Sequence, residues 1–324
     1  MNLLILLGIM VAVGVLVMPA GLVVNTGLLT RNARSEFFNR FSSTPTYYQR
    51  LAMTIQSNRD QENYRWLGSV PRMREWGNGR LAQGLRSESF DVTNLKYEAT
   101  LEVDRDEISD DQTGQIKIRV GELAQRAATH KDYLIAQLLI NGATSGYLCY
   151  DGGVYFNTTH SSGASGNQNN ALTFTAAAAT KTTAECRGAL QAAIAAMLSY
   201  LDDQGEPMVY SPSGMVALVP PSMFTPMAEA ASAAIIGGTT NVLAGLCEVI
   251  PFPWLTAGTT WYLCKTDGVV KPFAFQDREA IEFRSLAEDS EEEFKREKYL
   301  FGVRARYNMA YAYWQYCVRT VFSN

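Results

Sequence analysis

Apolar residues recur along this chain with two different periods, and the changes of period divide it into elements. Between residues 36 and 56, Phe37, Phe38 and Phe41, then Tyr47, Tyr48, Leu51 and Ile55, form an interrupted amphipathic pattern. It predicts short helices broken at Pro45 in an extended arm. Residues 64–103 read as a long two-stranded excursion. Tyr64 to Leu67 leads out, and a stretch with Pro71, Gly77, Gly79 and Gly84 turns. Phe90 to Val103 then returns, with Leu95, Tyr97, Ala99, Leu101 and Val103 on one face of a strand. The strongest helical signal comes next. Ser109 and Gln112 have capping-box spacing, and Asp110 and Asp111 suit the positive end of a helix dipole. Ile116, Val120, Leu123, Ala127, Leu134 and Leu138 follow at helical spacing, up to Asn141-Gly142, where glycine suits a left-handed stop. The helix would run about 27 residues, roughly 40 Å at ~1.5 Å per residue, and needs a sheet or neighbours along its length.

The second half has shorter elements. Residues 157–170 are small and polar, predicting a mobile loop, and an alanine-rich helix covers 184–201. Strands are expected at 208–211 and 215–219, followed by a helix from Pro221, where proline suits the first turn. Further strands are expected at 247–252, 260–264 and 269–275. From Val303 to Tyr313 strict alternation predicts a long two-faced strand. No internal repeat is visible.

The first thirty residues stand apart, with no charged side chain and an unbroken apolar run from Leu3 to Met18. That run falls just short of the ~17–25 residues that span a bilayer, and Pro19 ends it. A signal peptide normally opens with Lys or Arg, whereas the first basic residue is Arg31, although Pro19, Ala20 and Gly21 would permit cleavage. Three readings stay open: an upstream extension before a start at Met18, a removed or membrane-inserted segment, and a buried helix.

Length allows one large domain or two ordinary ones, and 47% hydrophobic with 19% charged residues excludes disorder. The sum of 28 basic against 32 acidic side chains argues against a domain built to grip a phosphate backbone. Its distribution is more informative. Arg59 to Arg86 holds six arginines, no lysine and three acids, whereas Glu98 to Asp111 holds seven acids against Arg105 alone. Residues 188–264 contain no Lys, Arg or His, and residues 265–324 are balanced at ten of each sign. Boundaries are therefore expected near 60, 110, 185 and 265.

Candidate chemistry is sparse. The five cysteines lie 17 to 61 residues apart with no Cys-x-x-Cys pair, so they read as small buried hydrophobes in a reducing compartment. A calcium loop starting at Asp104 fails at Ile108, Ser109 and Gln115. His160 lies near Asp151 in sequence, but no Gly-x-Ser-x-Gly elbow accompanies it, and His130 reads as a helix-surface residue. Asn157-Thr158-Thr159 is a glycosylation sequon only for a secreted chain. No catalytic residue, cofactor or metal ligand is expected. The arginine segment carries the sharpest signal. Arginine without lysine suits bidentate pairing with carboxylates and stacking on aromatic rings. Phosphate binding and a plain solvated hairpin compete with that reading, and complementary acids in the same chain favour contacts between copies. The expected intersubunit residues are Arg65, Trp66, Arg72, Arg74, Glu75, Trp76, Arg80 and Arg86.

Four stretches then carry a resemblance. They are Tyr64-Arg-Trp-Leu-Gly-Ser-Val-Pro-Arg-Met-Arg-Glu-Trp76, Glu102-Val-Asp-Arg-Asp106 leading into Asp110-Asp111-Gln112, Cys149-Tyr-Asp-Gly152 with Phe156 and His160, and Tyr299-Leu-Phe-Gly-Val-Arg-Ala-Arg306 with Ala310-Tyr-Ala-Tyr-Trp-Gln315. With these the chain resembles the major head subunits of Mu-like tailed phages, a branch of the HK-ninety-seven-type capsid proteins. The resemblance implies an α+β capsid fold. Its parts would be an N-terminal arm (18–60), an extended hairpin loop (61–104), a peripheral domain (105–184 and 265–324) on a spine helix at about 113–141, and an axial domain (185–264). It also implies self-association into the hexamers and pentamers of an icosahedral head, with scaffolding and portal partners. Packaged double-stranded DNA would be near only by weak non-specific proximity. The subunit would assemble in the bacterial cytoplasm, end in the virion, and touch no membrane when mature. Two departures matter: relatives begin near the position of Met18, and no lysine precedes Lys96, so a loop-tip isopeptide cross-link is not expected. An encapsulin-like cellular shell remains an alternative, as does an exported enzyme or binding protein with residues 1–18 as its signal.

Overall fold

The computed structural model describes residues 26–64, 90–110, 114–176, 181–287 and 290–323. Its first elements follow the interrupted pattern. Helix α1 (Thr26–Ser43) ends before Pro45, a single turn α2 (Tyr48–Leu51) follows, and strand β1 (Ala52–Gln56) continues directly. α1 does not reach away as a free arm. It lies along the long helix α4 (Gln115–Asn141), because Phe37 is fully buried with its ring 5.0 Å from that of Phe283. An ion pair between Glu36 and Lys117, 3.3 Å, joins the two helices.

α4 has the expected length of 27 residues, but both of its ends differ from expectation. Ser109 closes a separate short helix, α3 (Arg105–Ser109), capped by the Asp104 carboxylate, which accepts from Asp106 N at 3.0 Å. α4 begins behind Gly114, whose φ of 72° lets the chain turn between the two helices, so Ser109 does not cap it. Gln112 lies outside the described residues. At the other end Gly142 is right-handed, with φ −62°. Space rather than handedness demands glycine there, because a Cβ would stand 2.7 Å from Phe156 Cδ2 and 2.9 Å from Leu138 O.

The α4 helix and α1 cover one face of a four-stranded sheet ordered β1-β11-β12-β4. β11 (Phe273–Leu286) and β12 (Lys298–Tyr311) pair antiparallel from Phe273↔Tyr311 to Leu286↔Leu300. β4 (Leu95–Asp104) runs along the other side of β12, from Lys298↔Asp104 to Tyr307↔Leu95. Among the described residues the expected two-stranded excursion is paired at its base, where β2 (Gln61–Tyr64) and β3 (Phe90–Thr93) form a hairpin, while its residues 65–89 lie outside them. The return strand continues into the sheet as β4. Its alternation explains the choice: Leu101 and Val103 turn inward to the cluster that holds Phe37, Val120, Ala124, Phe283 and Phe301. The opposite face carries charge pairs, among them Arg304 with Glu279 at 2.8 Å and Lys298 with Glu102.

A second, five-stranded sheet is ordered β5-β13-β10-β6-β9. Its strands are β5 (Ala171–Thr175), β6 (Met215–Val219), β9 (Cys247–Pro251), β10 (Thr260–Lys265) and β13 (Cys317–Ser323). Helices α5 (Thr183–Leu198) and α6 (Phe224–Ser232) pack together beside it. A capping box between Thr182 and Glu185 starts α5, and Pro221 opens a short 3₁₀ turn before α6. A two-residue hairpin, β7 (Ile235–Ile236) with β8 (Thr239–Thr240), turns on Gly237 and Gly238, both at positive φ. This sheet recruits strands on both sides of the expected 185–264 segment, because β5 and β13 complete it. No strand forms at 208–211. The chain there follows a tight turn in which Asp202 Oδ1 accepts from Gln204 N (2.8 Å) and Glu206 N (2.9 Å).

The two sheets share a neck. β10 passes through residues 266–272 into β11, and β12 passes through 312–316 into β13, so one antiparallel pair of chain segments serves both sheets. Ala312 N donates to Pro272 O at 2.9 Å. The buried Tyr155 hydroxyl lies 3.0 Å from Pro272 O and 3.4 Å from Tyr313 O, donating between the two crossings.

Candidate assembly surfaces

All eight expected contact residues, Arg65, Trp66, Arg72, Arg74, Glu75, Trp76, Arg80 and Arg86, lie outside the described residues. Their root is well defined. Among the described residues, Tyr64 and Phe90 are the paired positions nearest that segment, so its two ends lie side by side. Tyr64 OH donates to Gln276 Oε1 at 2.5 Å, and Gln276 Nε2 donates to Val92 O at 3.1 Å, tying both hairpin strands to β11. Glu62 Oε1 accepts from Asn58 N (2.9 Å), Ser57 Oγ (3.0 Å) and Arg59 N (3.0 Å). The Asn58 bond leads in holding that carboxyl below its ordinary range. Arg306 then joins Asp60 (2.8 Å) to Glu279 (3.1 Å), clamping the approach to β2 onto the sheet.

Neither histidine is a surface or reactive group. The His160 ring is buried, with Nδ1 2.6 Å from Asp151 Oδ2, Nε2 3.2 Å from Tyr155 O, and its plane stacked 4.1 Å from Trp314. Both ring nitrogens are engaged inside the fold, by Asp151 and by the Tyr155 carbonyl. Buried Asn170 Nδ2 lies near three carbonyls, those of Tyr155 (2.9 Å), Cys317 (3.2 Å) and Trp314 (3.4 Å). The 157–170 segment is therefore an anchored strap, not the mobile loop expected from its composition. His130 is half-buried, its Nδ1 2.8 Å from Tyr307 OH and its ring edge-on to Tyr97, and burial pushes its pKa down. It faces the sheet rather than solvent. All five cysteines are buried, as the spacing suggested, with Cys264 and Cys317 Sγ 3.4 Å apart across β10 and β13. Among the described residues no cluster of His, Cys, Asp and Glu could hold a metal.

Residues 47–51 are fixed from three sides. Buried Asp132, on α4, accepts from Tyr47 N (3.0 Å) and Tyr48 N (2.7 Å), and burial pushes its carboxyl up to about 6. Arg50 forks onto both oxygens of Glu248 at 2.9 and 2.6 Å, and Lys271 Nζ donates to Gln49 O. What remains exposed is informative. Phe294, on the short helix α7 (Glu291–Arg296) between β11 and β12, is 91% exposed. Ile235 and Val242, in the base-free segment, are also largely exposed. Sequence reasoning passed over Phe294, although a lone aromatic behind an acidic run was visible. Among the described residues no helix is long and apolar enough to cross a membrane, and the apolar run at 3–18 lies outside them.

Family comparison adds the deciding observation. The model of the Mu-like prophage major head subunit gpT matches residues 27–185 and 256–321, well over half of the chain, with the whole of the first sheet and β5, β10 and most of β13 of the second. The chain belongs to that family. The matched head-subunit range includes the arginine segment and skips 186–255, where α5, α6 and most of the base-free stretch lie. The Major capsid protein of Escherichia phage Mu is 32% identical over 127 residues, which is 39% of this chain and 41% of that protein. The Mu-like prophage FluMu major head subunit of Haemophilus influenzae Rd is 21% identical over 280 residues, 86% of this chain and 67% of that one. Among solved structures, the procapsid of bacteriophage JBD30 superposes with a TM-score of 0.57 at 23% identity, covering 95% of this chain and 77% of that one. The fold is the α+β, HK-ninety-seven-type fold of phage capsid proteins.

Proposed function

We propose that this head-subunit family member is the shell-forming protein of a phage head, a structural protein without catalysis or cofactor. Family membership over residues 27–185 and 256–321 carries the reading. The charge pattern of residues 65–86, with five arginines, no lysine and one acid, supports it. In this reading Arg65, Trp66, Arg72, Arg74, Glu75, Trp76, Arg80 and Arg86 meet neighbouring copies, where arginine forks find carboxylates. The peripheral part would be 105–184 with 265–324 and the axial part 185–264, the latter grouping around symmetry axes where the lack of basic residues avoids like-charge clashes. Scaffolding and portal proteins would be its assembly partners, the bacterial cytoplasm its site of assembly, and the virion its destination. The net charge of −4 favours no more than weak, non-specific proximity to packaged double-stranded DNA. Negative-stain microscopy of chains expressed from Met1 and from Met18, with and without the neighbouring phage genes, tests the reading. Rings or shells are expected. A chain that stays monomeric under every one of these conditions refutes it.

A further inference from the structure

Two thiols meet where the second sheet runs into the neck. Cys264 is the penultimate residue of β10, Cys317 is the first of β13, and the two are register partners. Backbone bonds show which kind of rung they form. Phe322 N donates towards β10, to Thr259 O at 2.8 Å, whereas Arg319 N donates away from it, to Asn170 O at 2.8 Å. Bonding direction alternates along a strand, so Cys317 turns its backbone the way Arg319 does. Its carbonyl accordingly accepts from Asn170 Nδ2 at 3.2 Å. Cys264 and Cys317 therefore face each other as a non-hydrogen-bonded pair, the kind that brings opposite Cα atoms to about 4.5 Å. That separation lies inside the window of about 4.4–6.8 Å that a disulfide spans. The two sulfurs are 3.4 Å apart, and about 1.3 Å of approach completes a bond.

We propose that Cys264 and Cys317 are a latent cross-strand disulfide, closed after folding by a peroxide-class oxidant. One thiol loses its proton and its sulfur attacks a peroxide oxygen, giving a sulfenic acid while the O–O bond breaks and the other oxygen leaves as water with that proton. The second thiol attacks the sulfenic sulfur. The S–S bond forms, the S–O bond breaks, and the hydroxyl leaves as water with the second proton. Each sulfur gives up one electron, and one peroxide becomes two waters. Both side chains are fully buried, and burial together with the bond to Cys264 pushes the Cys317 thiol well above its ordinary range. A thiol held this way is a slow nucleophile, so the pair stays reduced in a thiol-buffered compartment. The rung is the last of the β10–β13 ladder, so a small oxidant enters when that end alone opens. The link closes a loop of about 50 residues that contains β11, α7 and β12, tying the base of the first sheet's central hairpin to the second sheet. In a phage head it would close after release from the cell. That timing rests on the proposed function, whereas the linkage is read from the subunit alone.

The purified full-length subunit, and particles where they form, are incubated with hydrogen peroxide, blocked with iodoacetamide and digested without reduction. Mass spectrometry should find one peptide pair joining Cys264 to Cys317, two hydrogen masses lighter than its reduced parts. The melting temperature should rise by at least ~5 °C and fall back with dithiothreitol. Cys264→Ala and Cys317→Ala should each melt at the same temperature with and without peroxide, a comparison that cancels whatever the substitution itself costs. A link from either residue to Cys149 or to another chain overturns the proposal. So does oxidation that stops at sulfenic or sulfinic acid, or a pair of thiols that stays free in the folded protein. A linked subunit that never assembles refutes the head reading and leaves the disulfide standing.

Discussion

Replacing His160 by alanine tests the buried strap most directly. The Asp151 carboxylate is 2.6 Å from His160 Nδ1, and both side chains are almost wholly enclosed, at 6% and 0% exposure. Removing the ring leaves buried Asp151 Oδ2 without its hydrogen-bond partner, which costs about 1–3 kcal/mol. The space vacated beside Trp314 adds to that loss. Against a total stability of ~5–15 kcal/mol, the substitution removes a large fraction. The companion change Asp151→Asn separates the hydrogen bond from packing. In the His160→Ala background it replaces the unpartnered carboxyl by a neutral amide, and its Oδ1 can still accept from Gly153 N, as Asp151 Oδ1 does at 3.1 Å. The double variant should therefore recover about 2 kcal/mol relative to His160→Ala alone. Urea unfolding of the unassembled subunit, followed by tryptophan fluorescence, reads both quantities. A loss below about 1 kcal/mol for His160→Ala refutes the argument, as does a double variant no more stable than the single one.

Further predictions concern other parts of the fold. Burial raises the Asp132 carboxyl from 3.8 to about 6, so the folded state holds that proton more tightly than the unfolded chain. Stability should then fall as pH rises from about 4 to about 6, by at most ~3 kcal/mol, and stay level above that. Asp132→Asn should flatten this slope and be at least as stable as wild type at pH 7, because one Oδ1 accepts from both Tyr47 N and Tyr48 N. A variant more than 1 kcal/mol weaker in denaturant titration at pH 7 would contradict the desolvation argument. Gly142→Ala should cost ~1–3 kcal/mol through overpacking against Phe156 and Leu138 O, and an unchanged melting temperature would show that the contact relaxes freely. Reversing Arg72, Arg74 and Arg80 to Glu should block assembly while circular dichroism of the subunit stays unchanged, and normal shells from that variant would remove the arginines from the interface.

Long periodic elements were the legible part of this fold. α4 and β12 announced themselves by sustained 3.6- and 2-residue patterns, because each buries one stripe or face against a neighbour along its whole length. The capping signal at Ser109 misled because the same residue types close one short helix and precede another, and only Gly114 marks the turn between them. β5 and β13 escaped notice because β5 is a five-residue edge strand directly behind the polar 157–170 segment, and Arg319 and Thr320 interrupt the apolar residues of β13. The 157–170 strap misled most. Its Gly, Ser and Asn residues look like a solvated loop, yet His160 and Asn170 satisfy buried carbonyls far along the chain. Phe294 stands in plain view behind the acidic run at 288–293, but only its burial distinguishes it from a core aromatic.

The neck between the sheets carries a mechanical consequence. β10 with β13 and β11 with β12 are one continuous two-stranded ribbon, pinned midway by the Tyr155 hydroxyl and the Ala312–Pro272 bond. A load drawing the two sheets apart along their strands would therefore fall on both segments at once, through their covalent backbones. Phe273, Tyr307 and Tyr311 of the first sheet also share one buried core with Leu263, Cys264 and Val318 of the second, so a twist of one sheet against the other would have to disturb that packing. The two sheets are thus coupled in both directions, and a displacement imposed on one is passed to the other.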